Sequence, residues 1–148
     1  MLSDGDILHV ELIPWIGNHG ARLMRPIIIG TPSAQLEHAA DRINALQDAQ
    51  IVGIKTGAIA SDVDAILRDG LISDRLRPDY PIVTAYTLGL YTRTPRLSDL
   101  VFPSTSDWPL ENGMALHLYA SACGLGFSAT VVVGTEDGRK LATTPRGI

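Results

Sequence analysis

The chain has 148 residues, 45% of them hydrophobic and only 5% aromatic, which suits one globular domain packed with aliphatic side chains and excludes a disordered tail. Its length is enough to bury about 68–70% of the unfolded surface in one core. Twelve basic against sixteen acidic residues leave a net charge of −4, so nothing offers nucleic acid a basic footprint or an anionic membrane a Lys/Arg run.

Cys123 is the only cysteine. It cannot form an internal disulfide or a multi-cysteine zinc site, and a buried, inert thiol is expected. The N-terminal MLSDGDILHV has neither the basic segment nor the apolar core of a signal peptide, and no apolar run reaches 18 residues. A cytoplasmic protein without a membrane span is the expectation.

The stretch GDILHVELIPWIGNHGARLMRP opens the fold. Its period of two sets Ile7, His9, Glu11 and Ile13 on one strand face and Leu8, Val10 and Leu12 on the other. A charge at Glu11 in such a strand is either paired, solvated at a rim, or functional. Pro14, Gly17, Asn18 and Gly20 mark a turn, and a second strand over residues 21–29 ends at Gly30, which together read as a hairpin.

Thr31 before Pro32 predicts a helix cap, followed by Leu36, Ala39, Ile43, Leu46 and Gln50 at helical spacing over four to five turns. Lys55-Thr56-Gly57 stops this helix. Ser61 with Asp64 predicts a capping-box start to a second, carrying Val63, Ile66 and Leu67. Residues 77–112 hold Pro78, Pro81, Pro95, Pro103 and Pro109 and read as a long surface excursion. Strands are expected at residues 114–121 and 127–134, then a tight turn at Thr135–Gly138 before Lys140 to Thr143. Strands, helices, then strands define an α+β class.

The four histidines form no HExxH or other paired spacing. His38 is expected in solvent on the first helix, His19 in the hairpin turn, and His9 beside Glu11. His117 shares a strand face with Tyr119, either as a hydrogen-bonded structural histidine or as a general base.

GDILHVEL, IKTGAIASDVD (residues 54–64), TAYTLGL (84–90), LENGMALHL (110–118) and VVVGTEDGRKLATTP (131–145) occur in that order. In this order and spacing the chain resembles the C-terminal part of the creatinase, prolidase and methionine aminopeptidase superfamily, the pita-bread fold. The resemblance spans nearly the whole chain. It implies a curved antiparallel sheet with two helices packed on one face. Residues 1–148 would then form a partial pita-bread domain whose N-terminal part is absent.

Peptidases of that superfamily hold two metal ions with two aspartates, a histidine and two glutamates. The resemblance carries these positions onto Glu11, Arg22, Tyr86, Tyr119 and Ala129. Only the first retains a carboxylate, and a permanent cation at Arg22 opposes metal binding. Glu11 and Arg22 are therefore expected to form an ion pair across the hairpin, and no metal and no cofactor are expected. The metal-free creatinase-like branch is nearer in GDIL and Pro14. Its upstream catalytic histidine has no counterpart here, and its substrate-holding glutamates fall on Met24 and Tyr119. Arg93 stands where the peptidases have a second histidine and has the chemistry to bind a carboxylate bidentately.

Glu11, Arg22, Tyr86, Arg93, His117 and Tyr119 are the substrate-pocket candidates; no catalytic residue is assigned. Three functions follow from the resemblance. The chain is a degenerate or truncated creatinase/Xaa-Pro peptidase-like protein without catalysis, a metal-free C–N hydrolase completed by another chain, or a small-molecule or protein-binding module. A dipeptide or other small molecule is the ligand expected, and self-association or an N-terminal companion chain the partner. Residues 7–13 and 114–120 are expected to lack part of their cover in the isolated chain.

Overall fold

The computed structural model describes residues 1–89 and 101–148. β1 (Ile7–Leu12) passes through a short ribbon, β2 (Trp15–Ile16) and β3 (His19–Gly20), into β4 (Leu23–Ile28). β1 and β4 pair antiparallel, with Ile7 opposite Ile28 and Leu12 opposite Leu23, so the predicted hairpin forms. Its inner face meets β7 (Leu125–Val133). The approach is close at Gly126, where a Cβ would stand 2.6 Å from Met24 Cε, the movable end of a flexible side chain. The opposite row, Leu8, Val10 and Leu12, is exposed.

α1 (Ala34–Gly53) is capped by Ser33, whose hydroxyl accepts from the Leu36 amide at 3.2 Å. Thr31 is not the cap: Pro32 lies before the helix and Ser33 adopts the extended backbone that a capping residue needs. α2 (Ala60–Ser73) follows, with Ile59 as its N-cap and no side-chain cap bond. The predicted capping box does not form, because Ser61 lies inside the helix and Asp64 turns into the core. There it takes Arg68 Nε at 2.5 Å, Arg68 Nη2 at 2.9 Å and the Thr84 hydroxyl at 2.6 Å. Gln50 from α1 donates to the same Thr84 hydroxyl at 3.0 Å.

The excursion after α2 is not loop throughout. It contributes β5 (Ala85–Leu88), the edge of a four-stranded antiparallel sheet completed by β6 (Ala115–Ala122), β7 and β8 (Gly138–Lys140) in the order β5-β6-β7-β8. β8 begins at the predicted turn and ends earlier than Thr143. Leu116, Leu118 and Ala120 of β6 join Phe127, Ala129, Val131 and Val133 of β7 in the core beneath the helices, where α1 adds Ile43 and Ile51 and α2 adds Val63, Leu67 and Leu71. Residues 114–120 are thus covered, and of the two strand segments expected to be bare only β1 is so.

Cys123 is exposed, not buried. It and Gly124 both take positive φ, 53° and 78°, in the two-residue turn joining β6 to β7, which lifts the thiol off the sheet. Among the described residues no helix is long and apolar enough to cross a membrane.

Candidate functional site

Arg22, just before β4, is held by its main chain. Its amide donates to Thr130 Oγ1 and its carbonyl accepts from the same hydroxyl, both at 2.9 Å. Thr130 lies on the β7 face opposite Ala129 and Val131, so β7 fixes where the guanidinium begins. From there Nε and Nη2 reach Glu11 Oε1 at 3.0 and 2.5 Å, and Nη1 donates to the Tyr86 hydroxyl at 2.6 Å. The expected ion pair forms, but half-buried: the side chains of Arg22 and Glu11 are 18% and 33% exposed.

Tyr86 on β5 stands opposite His117 on β6, and their rings lie 4.8 Å apart at a tilt of 57°. Burial pushes the Tyr86 phenol up to about 12, against the opposing pull of the Arg22 cation. Burial also drives His117 down to about 3, with Arg22 adding to the effect. The imidazole is therefore neutral at pH 7. Neither ring nitrogen has a hydrogen-bond partner among the described residues. His117 is thus not the hydrogen-bonded structural histidine that its strand position allowed, and a group with so low a pKa is a weak base.

Glu11, Arg22, Tyr86 and His117 form one chain of contacts. Tyr119, two residues along the same face of β6, is half-buried, and its carbonyl accepts from the Tyr80 hydroxyl at 3.0 Å. Ala129 belongs to the core cluster and faces away. Its neighbour Ser128 is the β7 residue opposite Tyr119, buried, with its hydroxyl unpartnered among the described residues. The position carried onto Ala129 thus packs in the core, while Ser128, one residue back, lies on the sheet face of Thr130. Arg93 lies outside the described residues. His9 and His38 are exposed, and His19 in the hairpin tip bonds through Nδ1 to the Gly17 carbonyl at 3.0 Å. Sequence reasoning missed Thr130 and Ser128, although period two in residues 127–134 already sets both hydroxyls opposite Phe127 and Val131.

A helix-backed antiparallel sheet with a hairpin docked on its last long strand is the pita-bread architecture. Solved structures of other proteins share it, three of which illustrate the range. The X-Pro aminopeptidase from Thermotoga maritima is 18% identical with a TM-score of 0.87, over 99% of this chain and 42% of that one. The dipeptidase PepE from Mycobacterium ulcerans is 22% identical with a TM-score of 0.88, over 99% and 40%. The N-terminal domain of the FACT complex subunit SPT16 from Eremothecium gossypii is 19% identical with a TM-score of 0.82, over 97% and 35%. The model of metallopeptidase family M24 matches residues 1–137, and the chain belongs to that family. It spans about two fifths of the length of the two peptidases. No curated protein matches the sequence.

The family's name implies a metal, and the residues here do not fit one. Glu11 Oε1 already takes two N–H donors from a cation, Tyr86 accepts from that same cation, and Tyr119 and Ser128 bring no carboxylate. A divalent ion at this point would meet a fixed positive charge and one available carboxylate, too few ligands for either of the hard or borderline metals.

Proposed function

We propose that this chain is a degenerate member of the M24 family that does not hydrolyse peptide or amidine bonds on its own. One observation carries the reading: the Arg22 guanidinium, bonded to Glu11 and Tyr86, occupies the junction that the resemblance gives to metal. The ion pair replaces a metal bridge as the tie across the hairpin. Residues 1–148 are read as part of the domain of the longer relatives, acting in the cytoplasm as a binding module whose site runs from Glu11 through Tyr86 to His117. The FACT subunit supports this reading, because a protein of this fold there serves as a subunit of a complex. Either a second copy or an N-terminal companion chain provides the missing cover.

The test is turnover of Xaa-Pro dipeptides and of small amidines by the purified chain, with Mn²⁺, Co²⁺ or Zn²⁺ added and metal content measured. No turnover and no stoichiometric metal are expected. Metal-dependent activity lost in Glu11→Ala overturns the reading.

A second reading has its own observation. His117 is 3% exposed with both ring nitrogens unpartnered among the described residues, which leaves a donor and an acceptor for a bound small molecule beside Tyr86. On this reading the chain is half of a metal-free C–N hydrolase completed by another chain. Metal-free turnover that appears only when a companion chain is added, and is lost in His117→Phe, would favour it.

A further inference from the structure

Two buried polar side chains on one face of the sheet have no partner among the described residues. His117 of β6 is 3% exposed with neither ring nitrogen bonded, and Ser128 of β7 is fully buried with its hydroxyl unpartnered. His117 stands opposite Thr130, and Tyr119 opposite Ser128. His117 and Ser128 are therefore diagonal neighbours, about 7–8 Å apart across the two strands. Tyr86 flanks the imidazole from β5, and Met24 of β4 reaches over the same face at Gly126. A buried polar group is seldom left unpaired, because it has given up its water for nothing.

The chemistry of the two orphans narrows what suits them. Burial keeps His117 neutral at pH 7, so its ring offers one N–H and one lone pair, and a serine hydroxyl both gives and takes. A single oxygen bridges two partners only when they lie within about 6 Å of each other. An N–H and a C=O side by side on one molecule are spread by a further ~2 Å, and such an edge suits diagonal neighbours better than a lone water does. Charge narrows the choice further. Glu11 and Arg22 neutralise each other, and the Arg25 guanidinium is taken up by the carbonyls of Met24, Ser128 and Pro145. An anion would have to compete with Glu11 for Arg22, and a cation would meet the positive field of Arg22 that already opposes protonation of His117.

We infer that the face between His117 and Ser128 binds an uncharged small molecule with an N–H and a C=O on one edge, the cis-amide edge of a lactam, an imide or a primary carboxamide. One ring nitrogen of His117 and the Ser128 hydroxyl engage that edge. The two ring nitrogens point in different directions, and a water is left to the other. The peptide link of a dipeptide is a poor match, since in the trans form its N–H and C=O lie on opposite edges and its termini are charged. The inference rests on the reading that the site runs from Glu11 through Tyr86 to His117, and it names the class of ligand taken there. Nothing in it requires that the ligand be cleaved.

The experiment is a titration of the purified full chain at pH 7, read by calorimetry and by the imidazole nitrogen resonances. The cis-amide probes are 2-pyrrolidinone and uracil; N-methylacetamide is the trans amide, and acetate and methylammonium are the charged probes. The His117 signals are assigned by their loss in His117→Phe. Both cis probes are expected to bind saturably and to shift the His117 nitrogens, with the other three at least about tenfold weaker. Affinity for the cis probes should fall about tenfold in Ser128→Ala and in His117→Phe, as the loss of one buried hydrogen bond implies. Ser128→Ala removes a single atom and keeps the test decisive if His117→Phe does not fold. No saturable shift with either cis probe means that water alone fills the site and overturns the inference. Equal binding of acetate, methylammonium or N-methylacetamide, or cis-probe binding unchanged in Ser128→Ala, overturns it as well. Metal-dependent turnover of Xaa-Pro dipeptides overturns the functional reading instead, so the two failures are distinguishable.

Discussion

Two of the arginine–carboxylate pairs in the molecule, Arg68 with Asp64 and Arg22 with Glu11, are built differently. Under α2, Asp64 is fully buried and both its oxygens are used, by two nitrogens of Arg68 and by Thr84, while Arg68 goes on to the carbonyls of Tyr80 and Ile82. At the hairpin, Arg22 and Glu11 stay partly in water, and among the described residues one carboxylate oxygen is engaged. The first pair joins α2 to the segment before β5 and has no freedom to do anything else. Among the described residues the second keeps an unused oxygen and a neighbour, Tyr86, that leads on to a buried imidazole. Full satisfaction fits a structural lock; partial satisfaction next to unpartnered polar groups fits the proposed site.

Removing a charge from each pair tests this contrast most severely at Asp64. Asp64→Asn leaves the Arg68 guanidinium, 14% exposed, facing no counter-charge, and a loss of about 3–5 kcal/mol is expected in urea unfolding. A loss below about 1 kcal/mol would mean that Arg68 escapes to solvent and that the lock is no lock.

Acid acts next, through His117. Its folded pKa of about 3 lies below the unfolded value of about 6.5, so between these the unfolded chain binds more protons. The stability due to the neutral imidazole is complete above pH 6.5 and is lost as pH falls toward 3, by up to about 1.4 kcal/mol per unit. Unfolding at pH 7, 6 and 5 should show this slope in the wild type and not in His117→Phe.

The hairpin pair comes third. Arg22→Met or Glu11→Gln alone should cost about 1–2 kcal/mol, and the double variant less than the sum, in a double-mutant cycle. Strict additivity would show that the two charges are solvated independently. Smallest of all, Cys123→Asn makes an Asn–Gly turn at a position with φ of 53°, and a gain of up to about 1 kcal/mol is expected. The wild-type thiol should also react with a soluble thiol reagent in the folded protein.

The hairpin, both helices and the β6–β7 pair were legible in the sequence because each rests on a repeated apolar period. Single-residue assignments were not. TPSA contains two capping side chains, and only the backbone at Ser33 decides between them. Asp64 reads as a cap because Ser61 stands three residues before it, while the stronger partner, Arg68, stands four residues after. Ser128 and Ala129 show how a one-residue step along a strand moves a position from the site face to the core. The ion pair of Glu11 and Arg22 was foreseen through the family resemblance; Thr130, which holds Arg22 in place, was not, since nothing local signals a partner 108 residues away.

That separation also orders the events of folding. The hairpin is made 108 residues before Thr130, and in the interval Arg22 has its Glu11 partner but no anchor on β7 for its main chain. The hairpin therefore stays unanchored on β7 until Thr130 is made, and closing so long a loop is slow and entropically costly. A chain released before β7 would keep its helices' sequence but present a loose, sticky hairpin. A product that stops before Thr130 lacks the hydroxyl that anchors Arg22 and is expected to aggregate more readily than one that includes it.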